Sequence, residues 1–309
     1  MSARSYRYRV VDVFTLNAFE GNPLAVFPDA AGIGEATMQR IARELNLSET
    51  TFVLPPARPD CDARVRIFTP NFEMAFAGHP TVGTSFVLLD EGIVPRGSAR
   101  FTLEEKVGPV PIRVDPPSPA TSNRPMIWLR TPPIRPGPTF EGAACSRLVG
   151  LDRADVLEVT PQIFSAGNPT VFIPVRGKAA VDRASVPDLR TLAEFKAGFP
   201  EPLCVFVFAP TPEGAYSRMF APEHGVFEDP ATGSATGPLA AFMMQNKLVS
   251  SAAGTRFVSE QGTKMGRRSL LHVHVRGPNG ADGIDVGGHV TPVIEATLRA
   301  GPSEMPGQV

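Results

Sequence analysis

The chain has 309 residues, long enough for two domains with sizeable cores. Hydrophobic residues make up 42 %, and 30 Lys plus Arg balance 31 Asp plus Glu to a net charge of −1, which describes a globular protein and no nucleic-acid binder. The start, MSARSYRYRV, lacks the apolar segment of a secretory signal, and no apolar stretch approaches the ~18 residues of a membrane span. A cytoplasmic protein is expected, with neither nucleic acid nor membrane as a partner.

Cys61, Cys145 and Cys204 are odd in number and far apart, which argues for buried small hydrophobes and against a disulfide framework or a Cys-type zinc site. The 33 Pro and 28 Gly are spread as turn punctuation, so many short strands joined by tight turns are expected.

In chain order, Tyr6 to Thr15 reads as a strand, and Gly21-Asn22-Pro23 as a turn into a second at Leu24 to Phe27. Glu35 to Asn46 places Met38, Ile41, Ala42 and Leu45 at helical spacing, so one face is buried. Thr50 to Leu54 and Ala63 to Thr69 are β-rich. Pro80 to Asp90 returns to helical spacing and carries no strongly polar residue between Val82 and Leu89, which predicts burial on nearly all sides, with Gly92 placed to stop it. Strands follow at Ala99 to Leu103 and Val110 to Val114. Asp115 to Pro125, DPPSPATSNRP, has too many prolines for a ladder or a helix and reads as an interdomain linker. It divides an N-terminal half, 1–118, from a C-terminal half, 119–286, with the segment 287–309 expected to pack back on the first.

Beyond the linker come a strand at Met126 to Arg130, a Pro-rich loop, a helix near Phe140 to Val149 and a strand at Val171 to Val175. A helix at Asp188 to Ala197 precedes strands at Leu203 to Ala209 and Tyr216 to Phe220, and an apolar helix runs from Thr236 to Gln245. Strands at Arg256 to Ser259, Leu270 to Val275 and Ile284 to Val286 precede a final segment, Thr291 to Arg299.

Two stretches match each other about half the chain apart. Arg66 to Ser85 reads RIFTPNFEMAFAGHPTVGTS and Arg218 to Thr236 reads RMFAPEHGVFEDPATGSAT; Gly21-Asn22-Pro23 and Gly167-Asn168-Pro169 repeat at nearly the same offset. Self-similarity of this kind predicts two similar halves, each a strongly bent sheet around one apolar helix. Both copies start Arg-x-Phe-x-Pro and close on His or Asp, Pro, two residues and Gly; matched at that close, they set Asp229 against His79, Gly233 against Gly83 and Ser234 against Thr84.

Helix starts carry unpaired N–H groups and a positive dipole end, so they attract carboxylates. Gly78-His79-Pro80 and Asp229-Pro230 both precede such starts. Pairing of the halves about a pseudo-two-fold axis would bring His79 and Asp229 to one anion-binding cleft. The alternatives are that Asp229 only caps its helix, worth ~0.5–2 kcal/mol, and that His79 is hydrogen-bonded at a turn. Glu49, in LSETTF between an amphipathic helix and an apolar strand, suits a half-buried general base, since burial raises a carboxyl pKa; a solvated loop glutamate is the alternative. His272 and His274 share a strand face but have no third metal ligand nearby. Lys264, Arg267 and Arg268 either reach an acidic substrate or occupy a solvated turn.

The pieces VDVFT, GNPLAVF, LNLSET, RIFTPNFEMAFAGHPT, EDPATGSATGPLAAF and SEQGTKMGR cover nearly the whole chain in order. Together they resemble the PhzF-like family, the phenazine-biosynthesis isomerases within the diaminopimelate-epimerase fold. The resemblance implies an α+β chain of two pseudo-symmetric domains, each a mostly antiparallel barrel-like sheet around a central helix. It implies Glu49 as the proton-transferring acid/base, His79 and Asp229 lining its cleft, and Gly78, Gly233 and Ser234 contacting a substrate carboxylate. It further implies no cofactor, no metal and commonly a homodimer. Related epimerases and proline racemases use two cysteines at the helix starts, where this chain has none, so a two-thiol mechanism is not expected. The expected function is a cofactor-independent isomerase or epimerase of a small, cyclic carboxylic acid. The alternatives are a catalytically silent ligand-binding or regulatory homologue that keeps the cleft, and a structural dimer.

Overall fold

The computed structural model describes residues 4–196 and 198–300. The expected helix end at Ala197 and the last part of the 287–309 segment lie outside the described residues. The chain divides into two compact units, Met1–Leu129 with Gly287–Val309, and Arg130–Val286.

The first unit runs β1 (Arg4–Val13), β2 (Asn22–Phe27), α1 (Glu35–Leu45), β3 (Glu49–Leu54), β4 (Ala63–Phe68), β5 (Glu73–Met74), α2 (Gly78–Asp90), β6 (Arg100–Glu105), β7 (Gly108–Asp115) and β8 (Met126–Arg130), whose last residue opens the second unit. There follow β9 (Arg135–Thr139), α3 (Gly142–Leu148), β10 (Gln162–Ser165), β11 (Thr170–Pro174), α4 (Lys178–Arg183), α5 (Leu189–Phe195), β12 (Cys204–Thr211), β13 (Gly214–Ala221), β14 (Val226–Asp229), α6 (Gly233–Gln245), β15 (Arg256–Gln261), β16 (Ser269–Val275) and β17 (Ile284–Gly288). The chain re-enters the first unit at Gly287, and its last described element is β18 (Val290–Ala300), which pairs antiparallel with β1.

Both units are curled mixed sheets with the same ladder, an α+β fold. In the first, β1 is antiparallel to β2, β2 parallel to β3, β3 antiparallel to β4, β4 parallel to β6 and β6 antiparallel to β7. In the second, β10, β11, β12, β13, β15 and β16 repeat that series of senses. Short strands β5 and β14 lie antiparallel on β4 and β13, each just before the apolar helix. Those helices, α2 and α6, are buried over almost their whole length, as their lack of a polar face requires.

Alternation along the strands divides the core into layers. In the second unit Phe172, Phe206 and Phe208 pack with Leu239, Phe242 and Met243 of α6. The intervening Val171, Ile173, Val205 and Val207 pack with Cys145, Leu148, Val181 and Leu192 of α3, α4 and α5. In the first unit Phe27, Phe52 and Phe68 pack under Met38, Ile41 and Ala42 of α1.

Several expectations change. Asp115 to Pro125 lies inside the first unit: Asp115 ends β7 opposite Met126, and Ser118 and Thr121 fold the prolines into one 3₁₀ turn by bonding each other's backbone and side chains. The division falls after Leu129. The Pro-rich loop contains β9, which pairs with β10 across an irregular register; an edge strand tolerates proline because only one side of its backbone needs to pair. Thr291 to Arg299 is part of a strand. α6 begins at Gly233 and α2 at Gly78, earlier than the apolar spacing alone suggested.

Candidate active site

Strand β3 begins at Glu49. Because Phe52 faces α1, alternation turns Thr51 and Glu49 to the opposite face, against α2. Thr51 Oγ1 lies 2.8 Å from Thr84 Oγ1, and Glu49 Oε2 lies 3.3 Å from Nε2 of His79. Two strand residues advance about 6.6 Å and five helical residues about 7.5 Å, so strand and helix laid side by side meet at both points. Gly83 lets α2 lie close over β1 and β2: a Cβ there would stand 2.6 Å from Leu24 Cδ2 and 2.7 Å from Val13 Cγ2.

His79 is buried, and burial pulls its pKa down to about 3. Near neutral pH the imidazole is uncharged, so its contact with Glu49 falls within ion-pair distance without being an ion pair. In the observed amide orientation Asn22 Nδ2 donates to Nδ1 at 3.2 Å, which leaves the ring proton on Nε2, the nitrogen beside Glu49. That N–H is not aligned as a hydrogen bond. A carboxyl group, 14 % exposed, thus stands beside a neutral imidazole of fixed tautomer, an arrangement able to take up and release a proton. Asn22 was not singled out as a site residue by sequence; its signal was the repeated Gly-Asn-Pro.

The second unit gathers Asp229, Gly233 and Ser234. Asp229 ends β14, and its carboxylate accepts from Thr232 Oγ1 at 2.5 Å. Gln261 braces this turn: its Nε2 donates to Asp229 O at 2.7 Å and Thr232 Oγ1 at 3.0 Å, and its Oε1 accepts from Thr232 N at 3.1 Å. Gly233 and Ser234 form the first turn of α6, as Gly78 and His79 form that of α2.

The equivalence read from the repeat therefore shifts. Ile67 pairs with Met74 as Met219 pairs with Asp229, and the second copy carries the extra turn Pro222–His224. Asp229 stands where Met74 stands, and the counterpart of His79 is Ser234. The Arg-x-Phe start shared by the two copies is structural. Arg66 lies over the Phe68 ring and binds Glu73 at 2.7 Å, and Arg218 lies over Phe220 and binds Glu228 at 2.7 Å.

The three cysteines are buried and free, and none is at a helix start. Desolvation pushes Cys145 and Cys204 up to about 12, so neither is a ready nucleophile. Lys264 and Arg268 sit on an exposed turn, with Arg268 paired to Glu260 at 3.3 Å. Among the described residues no three His, Cys, Asp or Glu converge as metal ligands, and no helix is long and apolar enough to cross a membrane.

The model of the family described as phenazine biosynthesis-like protein (PhzC-PhzF) matches residues 11–296. The chain belongs to this family. The PhzF-family chain is 37 % identical over 276 residues to the trans-2,3-dihydro-3-hydroxyanthranilate isomerase of Pseudomonas aeruginosa, a match covering 88 % of this chain and 91 % of that one. A phenazine biosynthesis protein of the PhzF family from Bacillus anthracis superposes with a TM-score of 0.84 at 26 % identity, over 96 % of this chain and 99 % of that one. A hydroxyproline epimerase from Agrobacterium vitis shares the fold alone, at a TM-score of 0.66 and 14 % identity over 99 % and 95 % of the two chains. This PhzF-family chain is accordingly an enzyme of the isomerase class.

Proposed function

We propose that the protein isomerises or epimerises a small, cyclic carboxylic acid without a cofactor, Glu49 removing a proton from carbon and returning one elsewhere. The observation that carries this reading is the contact between Glu49 and a buried, neutral His79 whose tautomer Asn22 fixes. A positioned acid/base is worth about 10²–10⁴ in rate, or roughly 2.7–5.4 kcal/mol. That is too little to break a C–H bond unaided. The added stabilisation is assigned to backbone N–H groups at helix starts, with Gly78, Gly233 and Ser234 contacting the substrate carboxylate and Asp229 as a further polar group on the substrate. The P. aeruginosa relative's name supplies the first compound to try, trans-2,3-dihydro-3-hydroxyanthranilate.

Turnover in D₂O tests the proposal. The wild type is expected to place solvent deuterium on carbon in the product, and Glu49→Gln to lose that exchange. Full activity in Glu49→Gln removes the mechanism. Binding of the acid without turnover in the wild type supports a silent ligand-binding homologue instead.

A further inference from the structure

The strand that follows each apolar helix ends in a buried side chain that reaches back to the start of that helix. Ala63 pairs with Leu103 as Ala215 pairs with Ser259, so Glu105, the last residue of β6, is the counterpart of Gln261, the last of β15. Gln261 spends its whole amide on the Asp229–Thr232 turn. Glu105 reaches Thr81, in the first turn of α2, at 2.6 Å from Oε1 to Oγ1.

A threonine hydroxyl has one proton to give. Thr81 Oγ1 also lies 2.7 Å from Ala77 O, which accepts only, and the matching Thr236 Oγ1 donates to Thr232 O at 3.0 Å. With the Thr81 proton on Ala77 O, a proton for the 2.6 Å contact must come from the carboxyl group. Glu105 Oε2 is buried with no hydrogen-bond partner, tolerable for a carbonyl-like oxygen and costly for half of a carboxylate.

We propose that Glu105 is held as the neutral carboxylic acid, a positioning residue that braces the His79-bearing turn of α2 as the Gln261 amide braces the start of α6. Burial supports this, pushing the Glu105 pKa up to about 8. Charged neighbours have other partners. Glu104 accepts from the backbone of Ala57 and Arg58 and lies 3.9 Å from Arg64; Lys106 and Arg66 both bind Glu73; His79, two residues before Thr81, is neutral and meets Asn22 and Glu49.

Between the ordinary carboxyl pKa of 4.5 and about 8, folded Glu105 keeps a proton that the unfolded chain has lost, so stability falls as pH rises through that window. The test compares wild type, Glu105→Gln and Glu105→Ala, reading Tm against pH and the NMR signal of the His79 imidazole, assigned by its loss in His79→Asn. Glu105→Gln is expected to match wild type near pH 5, to gain in Tm over it up to pH 8 and no further, and to keep the His79 signal. Glu105→Ala is expected to lower Tm near pH 5 and move that signal. Should the alanine variant not fold, Thr81→Val is expected to lower Tm near pH 5 and move the signal as well. Parallel Tm curves for wild type and Glu105→Gln overturn the proposal, as does an unmoved His79 signal in the alanine or valine variant. The idea rests on His79 belonging to the site, yet neither readout needs turnover, so deuterium exchange can fail while this brace stands.

Discussion

The starts of α2 and α6 show how one backbone architecture holds two different sets of side chains. Each apolar helix follows a two- or four-residue strand, carries a threonine that bonds back one turn, and is braced from the end of the next strand. At α6 every brace is an uncharged amide or hydroxyl, arranged around one carboxylate. At α2 the ring of His79 and the carboxyl of Glu105 are both buried and both displaced from their ordinary pKa, in opposite directions. Repeating a backbone thus left the side chains free to diverge, and of the two helix starts it is that of α2 that carries the buried groups with displaced pKa values. Buried groups with displaced pKa values cluster at functional sites, which fits Glu49 standing there.

The largest effect expected concerns this asymmetry directly. Glu49→Gln should lower turnover by about 10²–10⁴, with little change in Tm, whereas substitutions at Gln261 should act through the geometry of the α6 start. Equal losses of rate from both would remove the proposed division between an acid/base at α2 and a carboxylate contact at α6.

The shared Arg–Glu pair sharpens the comparison in stability. Arg218 adds bonds to the carbonyls of Asp182 and Ala184, whereas the second acidic partner of Arg66 is the exposed Glu35. Breaking a buried pair leaves its partner unpaired and costs about 3–5 kcal/mol, so Arg218→Ala should approach that range and Arg66→Ala fall short of it in denaturant titrations.

Smaller effects should follow at Asn22 and in acid. Asn22→Leu leaves His79 Nδ1 buried without its donor, a loss of about 1–3 kcal/mol, measurable as a lower urea midpoint. Below the ordinary His pKa of 6.5 the unfolded chain binds a proton that folded His79, at about 3, refuses. Stability should therefore fall as pH drops through that window, and less steeply in His79→Asn. Smallest of all, Arg190→Ala breaks only an exposed pair with Glu194 and should move stability by less than about 0.5 kcal/mol.

Much of this was legible in the sequence. The helical spacing of Met38, Ile41 and Ala42 predicts α1, the unbroken apolar run predicts the burial of α2 and α6, and the doubled Arg-x-Phe and Gly-Asn-Pro pieces announce two similar sheets. Glu49 and His79 are both legible as candidates from the sequence. The prolines between Arg135 and Thr139 hid an edge strand, because pairing needs only one free side of the backbone.

Local pattern and doubling determined the elements, the fold class and the residue types available for chemistry, since these depend on side-chain size, spacing and polarity along the chain. Tertiary structure alone decided which groups meet. The parity of β3 turns Glu49 toward α2, an inserted turn moves Asp229 out of His79's place, and Glu105 becomes a brace only because a parallel ladder returns β6 beside β4. Those outcomes depend on distances between residues far apart in sequence, which no local preference encodes.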